Sequence, residues 1–188
     1  MKKVIFIHGY TSSPNKKKYR IIAEELDKAK VDYSIPAFPG GENPYTSEWL
    51  EIINEEVEKS KNPVILVGHS LGTRAALLYL DKFGKKVDTV ILFAAFNNDY
   101  QLNRNRKDEH YSDFFDYPIN IEKVKNLADK FIVVHSKDDD SIDYGQGKEV
   151  ARELGAELKT YGNMDHFAGE EKAEENAKVF LEVVRSVL

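Results

Sequence analysis

The chain has 188 residues, 41% of them apolar and 11% aromatic, which is enough to bury one core. Its formal charge of −5 excludes the concentrated basic excess that a nucleic-acid binder needs. It contains no cysteine, so disulfides, thiolate metal sites and cysteine nucleophiles are excluded. The opening MKKVIFIHGY has too short an apolar run before His8 for a signal-peptide core, and no run approaches membrane-spanning length. A cytoplasmic protein with neither a membrane nor a nucleic-acid partner is expected.

The first strand is predicted over 4–7 and ends at His8-Gly9-Tyr10. Tyr19, Ile22, Ala23 and Leu26 then recur at helical spacing behind Lys16 to Lys18, which read most simply as a solvated helix start. A second strand is predicted over 31–35. The helix after it carries Trp49, Leu50, Ile53 and Val57 on one face, with Thr46 or Ser47 as its cap and Glu48 in its first turn. Pro63 separates that helix from a third strand over 64–67, and Ala75, Ala76, Leu78 and Tyr79 mark the helix that follows. The fourth strand covers 87–93.

Residues 95–120 show no sustained period, and irregular segments of this length inside a domain are usually functional or mobile. This one follows a strand, so it is expected over the carboxyl edge of the sheet, where open α/β sheets bind ligands. Phe96, Tyr100, Tyr111, Phe114 and Phe115 are its candidate pocket walls, too apolar for a purely solvated loop. Arg104, Arg106 and Lys107, with Lys16 to Lys18, offer a positive rim that favours anionic or polar substrates. Strands five and six are predicted over 131–134 and 156–160. The last helix runs from about residue 170, with Ala173, Ala177, Phe180, Val184 and Val187 on one face. Alternating strands and helices require a parallel sheet covered on both faces, and no repeat or linker divides the chain. One domain over 1–188 is expected.

Gly68-His69-Ser70-Leu71-Gly72 follows a predicted strand and opens a predicted helix, the context in which a Gly-x-Ser-x-Gly turn presents a nucleophile. Glycines are required there because side chains at 68 or 72 would collide with the neighbouring strand and helix. A serine hydroxyl needs a base to take its proton and an acid to orient that base. HSKDDDSIDYG, past the fifth strand, supplies Asp138, Asp139 and Asp140 as candidate acids, and YGNMDHFAG, past the sixth, supplies His166. The N–H groups of Leu71, at the helix start, and of Tyr10, turned by Gly9, are candidate oxyanion donors. The acidic run also has the outline of a calcium loop ending at Glu149, but lacks the sixth-position glycine. His8 and His69 read as structural, His135 ends a strand, and His110 lies in the irregular segment.

An HG loop after the first strand, GHSLG after the third, an acid loop after the fifth and DHF after the sixth together resemble an α/β-hydrolase. At this length, with Trp49-Leu50 in the helix before the serine turn, the chain is similar to the small serine hydrolases related to retinoblastoma-binding protein 9. The resemblance implies a compact three-layer sandwich without a cap domain, with six parallel strands in the order 2-1-3-4-5-6. It implies Asp139, the second of an Asp-Asp pair, as the acid beside Ser70 and His166. That pair is usually followed by proline, where this chain has Asp140, so the register stays open among the three aspartates. Retinoblastoma binding through a cysteine-containing motif does not carry over to a chain without cysteine. The expected activity is cleavage of small carboxylic esters through an acyl-enzyme, without metal or organic cofactor. A thioesterase or peptidase using the same residues, or a non-catalytic binding protein on the same fold, are the alternatives. Oligomeric state is not legible.

Overall fold

Strands that are apolar at every position cannot leave one face in water, so they form the middle of a parallel sheet covered on both sides. In the computed structural model, which describes residues 1–96 and 112–188, such runs form the buried centres of β1 (Lys3–Ile7), β3 (Val64–His69), β4 (Val87–Phe93) and β5 (Ala128–Ser136). The edges are β2 (Asp32–Ser34) and β6 (Glu157–Tyr161). All neighbours pair in parallel, in the order β2-β1-β3-β4-β5-β6 that the resemblance implies.

Successive side chains of a strand enter opposite layers. Ile5, Ile7, Leu66, Leu92 and Val133 meet α2 (Thr46–Glu58), α3 (Leu71–Phe83), the single turn α4 (Ile121–Val124) and α5 (Tyr144–Leu154) on one face. Phe6, Val67, Ile91, Phe93 and Val134 meet α1 (Lys17–Lys28) and α6 (Ala173–Arg185) on the other. The chain is an α/β-hydrolase fold, and no cap domain covers the sheet among the described residues. Nor is any described helix long and apolar enough to cross a membrane.

Local departures from the expected elements have physical causes. The edge strand β2 keeps only three residues because it pairs along one side. Residues 170–172 stay outside α6, in a turn where Ala173 N–H donates to Glu170 O at 3.3 Å. Thr46 does not cap α2. It is the first helical residue, Tyr45 holds the cap position without a side-chain bond, and Asp113 Oδ2 accepts the Thr46 N–H at 2.8 Å from across the fold.

Candidate active site

Between the last residue of β3 and the first of α3 there is one residue in which to reverse the chain. Ser70 takes it at φ 53° and ψ −122°, a conformation that costs a non-glycine residue about 1–3 kcal/mol. Its N–H donates to Phe93 O at 2.9 Å, tying the turn to β4. A Cβ on Gly72 would stand 2.1 Å from Ile7 O, and one on Gly68 would stand 2.6 Å from Gly72 O. The collision expected at both glycines is therefore real: α3 presses on β1 too closely for any other residue.

The turn after β1 passes beside the serine, since a Cβ on Gly9 would lie 3.1 Å from Ser70 Cβ. His8 holds that turn. Its Nδ1–H donates to Gly9 O at 2.9 Å and its Nε2 accepts the Phe38 N–H at 3.1 Å, so both ring nitrogens are used by a neutral imidazole. Burial pushes its pKa down, in keeping with that form. Tyr10 follows in that turn and lines the same cavity as Ser70, and Leu71, the first residue of α3, directly follows the serine.

Of the three consecutive aspartates only Asp139 is buried. Its Oδ1 accepts the N–H groups of Ser141 and Ile142, each at 2.9 Å, and its Oδ2 lies 2.9 Å from His166 Nδ1. Beneath it, buried His135 directs Nε2 to Ile142 O at 3.1 Å and stands 3.5 Å from Asp139 Oδ2. Burial alone would push the Asp139 carboxyl up; His135, His166 and the Ile142 N–H outweigh it and hold the group well below the usual carboxylate range. Asp138 is exposed and takes the Ser136 hydroxyl, Asp140 takes the Ser141 hydroxyl at 3.1 Å, and Asp143 caps α5 through the Gly145 N–H. The acidic run thus divides among four separate tasks.

The loop that presents His166 is strained, with Asn163, Asp165 and Phe167 all at positive φ. Three bonds clamp it: Met164 N–H to Ser136 Oγ at 3.2 Å, His69 Nε2–H to His166 O at 2.7 Å, and Lys18 Nζ to Phe167 O at 2.7 Å. His69, expected to be structural, spends its ring on this clamp, and burial pushes its pKa well down. Lys18 departs from expectation. Instead of joining a solvated helix start, its side chain is 6% exposed, and burial pushes its ammonium down to about 7.

Ser70 and His166 line one cavity of about 200 Å³, together with Gly9, Tyr10, Lys16 and Lys18 among others. Of the aromatic walls expected from the irregular segment, the three among the described residues, Phe96, Phe114 and Phe115, do not line it. Phe114 is fully buried with its ring 5.3 Å from Trp49, and Phe96 packs 5.8 Å from Phe115. Buried Arg74 explains the difference: its guanidinium binds Phe114 O and Tyr117 O and sits 4.5 Å over the Phe115 ring, drawing these residues onto α3. Tyr100, Tyr111, His110, Arg104, Arg106 and Lys107 lie outside the described residues. A larger cavity, about 520 Å³, opens elsewhere, between α2, α3 and residues 113–118.

Comparison with known proteins agrees with this architecture. The chain is 30% identical over 142 residues to the serine hydrolase RBBP9 of Rattus norvegicus, covering 76% of this chain and 70% of that one. It is 27% identical over 172 residues to the hydrolase YdeN of Bacillus subtilis (strain 168), covering 90% and 88% of the two chains. The YdeN crystal structure superposes with a TM-score of 0.85 at 23% identity, covering 100% of this chain and 98% of that one. A monoacylglycerol lipase of Paleococcus ferrophilus shares the fold at a TM-score of 0.70 and 17% identity, covering 99% and 95%. The family model for serine hydrolases matches residues 4–180, and the chain belongs to that family.

Proposed function

We propose that this hydrolase cleaves small carboxylic esters through an acyl-enzyme formed on Ser70. His166 takes the Ser70 proton on Nε2 as Oγ attacks the acyl carbon, while Asp139, ionised throughout the working range, faces Nδ1 and balances the imidazolium. The N–H groups of Tyr10 and Leu71 receive the oxyanion. Collapse breaks the bond to the alcohol, which leaves with the proton from His166. Water then attacks the acyl-enzyme, His166 accepts its proton and returns one to Ser70 Oγ, and the carboxylic acid departs. The observation that carries this reading is the contact of buried, multiply bonded Asp139 with His166, which lines the same cavity as the strained Ser70.

The cavity's volume falls below the roughly 300–1,000 Å³ usual for drug-sized ligands, which supports a short acyl group. The test is a series of aryl esters from acetate to octanoate. Turnover is expected to fall beyond butyrate, and Ser70→Ala is expected to lower it by about 10⁴- to 10⁶-fold with the fold intact. Rates that rise steadily to octanoate contradict the short pocket, and retained activity in the variant contradicts the nucleophile.

A further inference from the structure

Lys18 has no part in that mechanism, yet its burial is costly. Its Nζ rests 4.9 Å from the Tyr19 ring centroid and 4.4 Å from that of Phe180. Its hydrogen bond goes to a neutral carbonyl, Phe167 O. An ammonium has three donors and a full charge, and burial without an opposing charge is penalised by several kcal/mol. Among the described residues no carboxylate lies within 4 Å of Nζ; Glu170, which favours the charged form, is half exposed and pairs with Lys16 at 3.6 Å. The same lysine forms part of the wall of the cavity that holds Ser70 and His166.

We propose that Lys18 is the anion-recognising group of this cavity and that the preferred substrate is a small ester carrying a carboxylate. The proposal rests on the ester-hydrolase reading of the site. A substrate carboxylate supplies the missing counter-charge and takes up donors that Phe167 O does not use. The surrounding groups do not oppose it. Lys16, Lys17 and Tyr19 flank Lys18 on its own stretch, His8 and Tyr10 come from the turn after β1, His69 from β3, and His166 and Glu170 from the loop before α6. Burial pushes both His8 and His69 down and Tyr19 up, so all three are uncharged at neutral pH. Glu170 is matched by Lys16, and Glu174 by Lys17 at 2.9 Å. Below about pH 7 Lys18 is protonated, and an entering carboxylate favours that form further. The preference therefore holds at low pH and fades as pH rises.

The experiment measures kcat/KM between pH 6 and 9 for two ester pairs: an aryl butyrate against the aryl hemisuccinate, and an aryl acetate with and without a carboxylate on its leaving group. A ratio within a pair cancels the pH dependence of the chemical steps, which both members share. The charged member of at least one pair is expected to be favoured about tenfold or more at pH 6, with the ratio approaching one at pH 9. In Lys18→Met that ratio is expected near one at every pH. If Lys18→Met folds poorly, competition by succinate against the neutral ester in the wild-type chain serves instead, strong at pH 6 and weak at pH 9. Neutral esters equal or better at pH 6 in both pairs overturn the subsite and leave the ester reading standing. Failure to cleave any ester overturns the ester reading; protection of Ser70 from a fluorophosphonate by succinate at pH 6 then decides the subsite, its absence overturning that too.

Discussion

Asp139 and His166 are each held by bonds that do not involve Ser70: Asp139 by the N–H groups of Ser141 and Ile142, His166 by the clamp through its carbonyl. Such pre-set geometry makes the three aspartates unequal. Asp139→Asn is expected to lower turnover by about 10⁴-fold, as loss of the orienting acid does elsewhere, whereas Asp138→Asn and Asp140→Asn, whose side chains bind serine hydroxyls, retain most of it. Steady-state kinetics of the three variants check this, and a ranking led by Asp138→Asn contradicts it. Ser70 and His166 were legible because each sits in a motif with its own spacing. The register among Asp138, Asp139 and Asp140 was not, because consecutive identical residues carry no period, and only the inward turn after β5 separates them. Lys18 was illegible for another reason. Tyr19 beside it covers only part of the ammonium; Phe167 and Phe180, which complete the burial, arrive from the far end of the chain.

At the scale of elements, the apolar centres of the middle strands could be read from the sequence. The expected 131–134 falls short of β5, Ala128–Ser136, because exposed Asp129 and Lys130 at its start and polar His135 and Ser136 at its end carry no apolar signal. β2 and β6 blurred at their ends, since an edge strand need satisfy only one neighbour. α5 has almost no signature of its own in the sequence. Its sequence YGQGKEVAREL has two glycines and a thin apolar face, and its place follows from the sheet beneath it rather than from its own periodicity. The cap of α2 was misplaced because its acceptor, Asp113, is supplied by a distant segment. The serine turn, by contrast, is a matter of close approach. Gly72→Ala drives a Cβ to 2.1 Å from the Ile7 carbonyl, backbone that cannot rotate away. The variant is expected to lose about 1–3 kcal/mol or more in urea unfolding and to lose activity with it, because α3 must lift away from β1. Unchanged stability contradicts the packing described between α3 and β1.

The whole molecule places its chemistry at one edge. The carboxyl ends of β1, β3, β5 and β6 deliver Tyr10, Ser70, Asp139 and His166, as parallel α/β sheets do generally. The fold class was legible from alternation alone, but strand order and the choice of Asp139 as the candidate acid came from resemblance, because composition and periodicity do not rank alternative strand orders. The walls of the cavity were not legible either, since Arg74 draws Phe114 into the core and Phe115 against it, and among the described residues Lys16, Lys18 and loop residues line the cavity beside the serine. Intact-mass analysis after treatment with a fluorophosphonate reads the proposed nucleophile itself. One adduct per chain is expected, located on Ser70, formed rapidly by the wild-type chain and at a rate lower by about 100-fold or more in His166→Ala. A folded wild-type chain that takes no label, or takes it on another residue, contradicts Ser70 as the nucleophile.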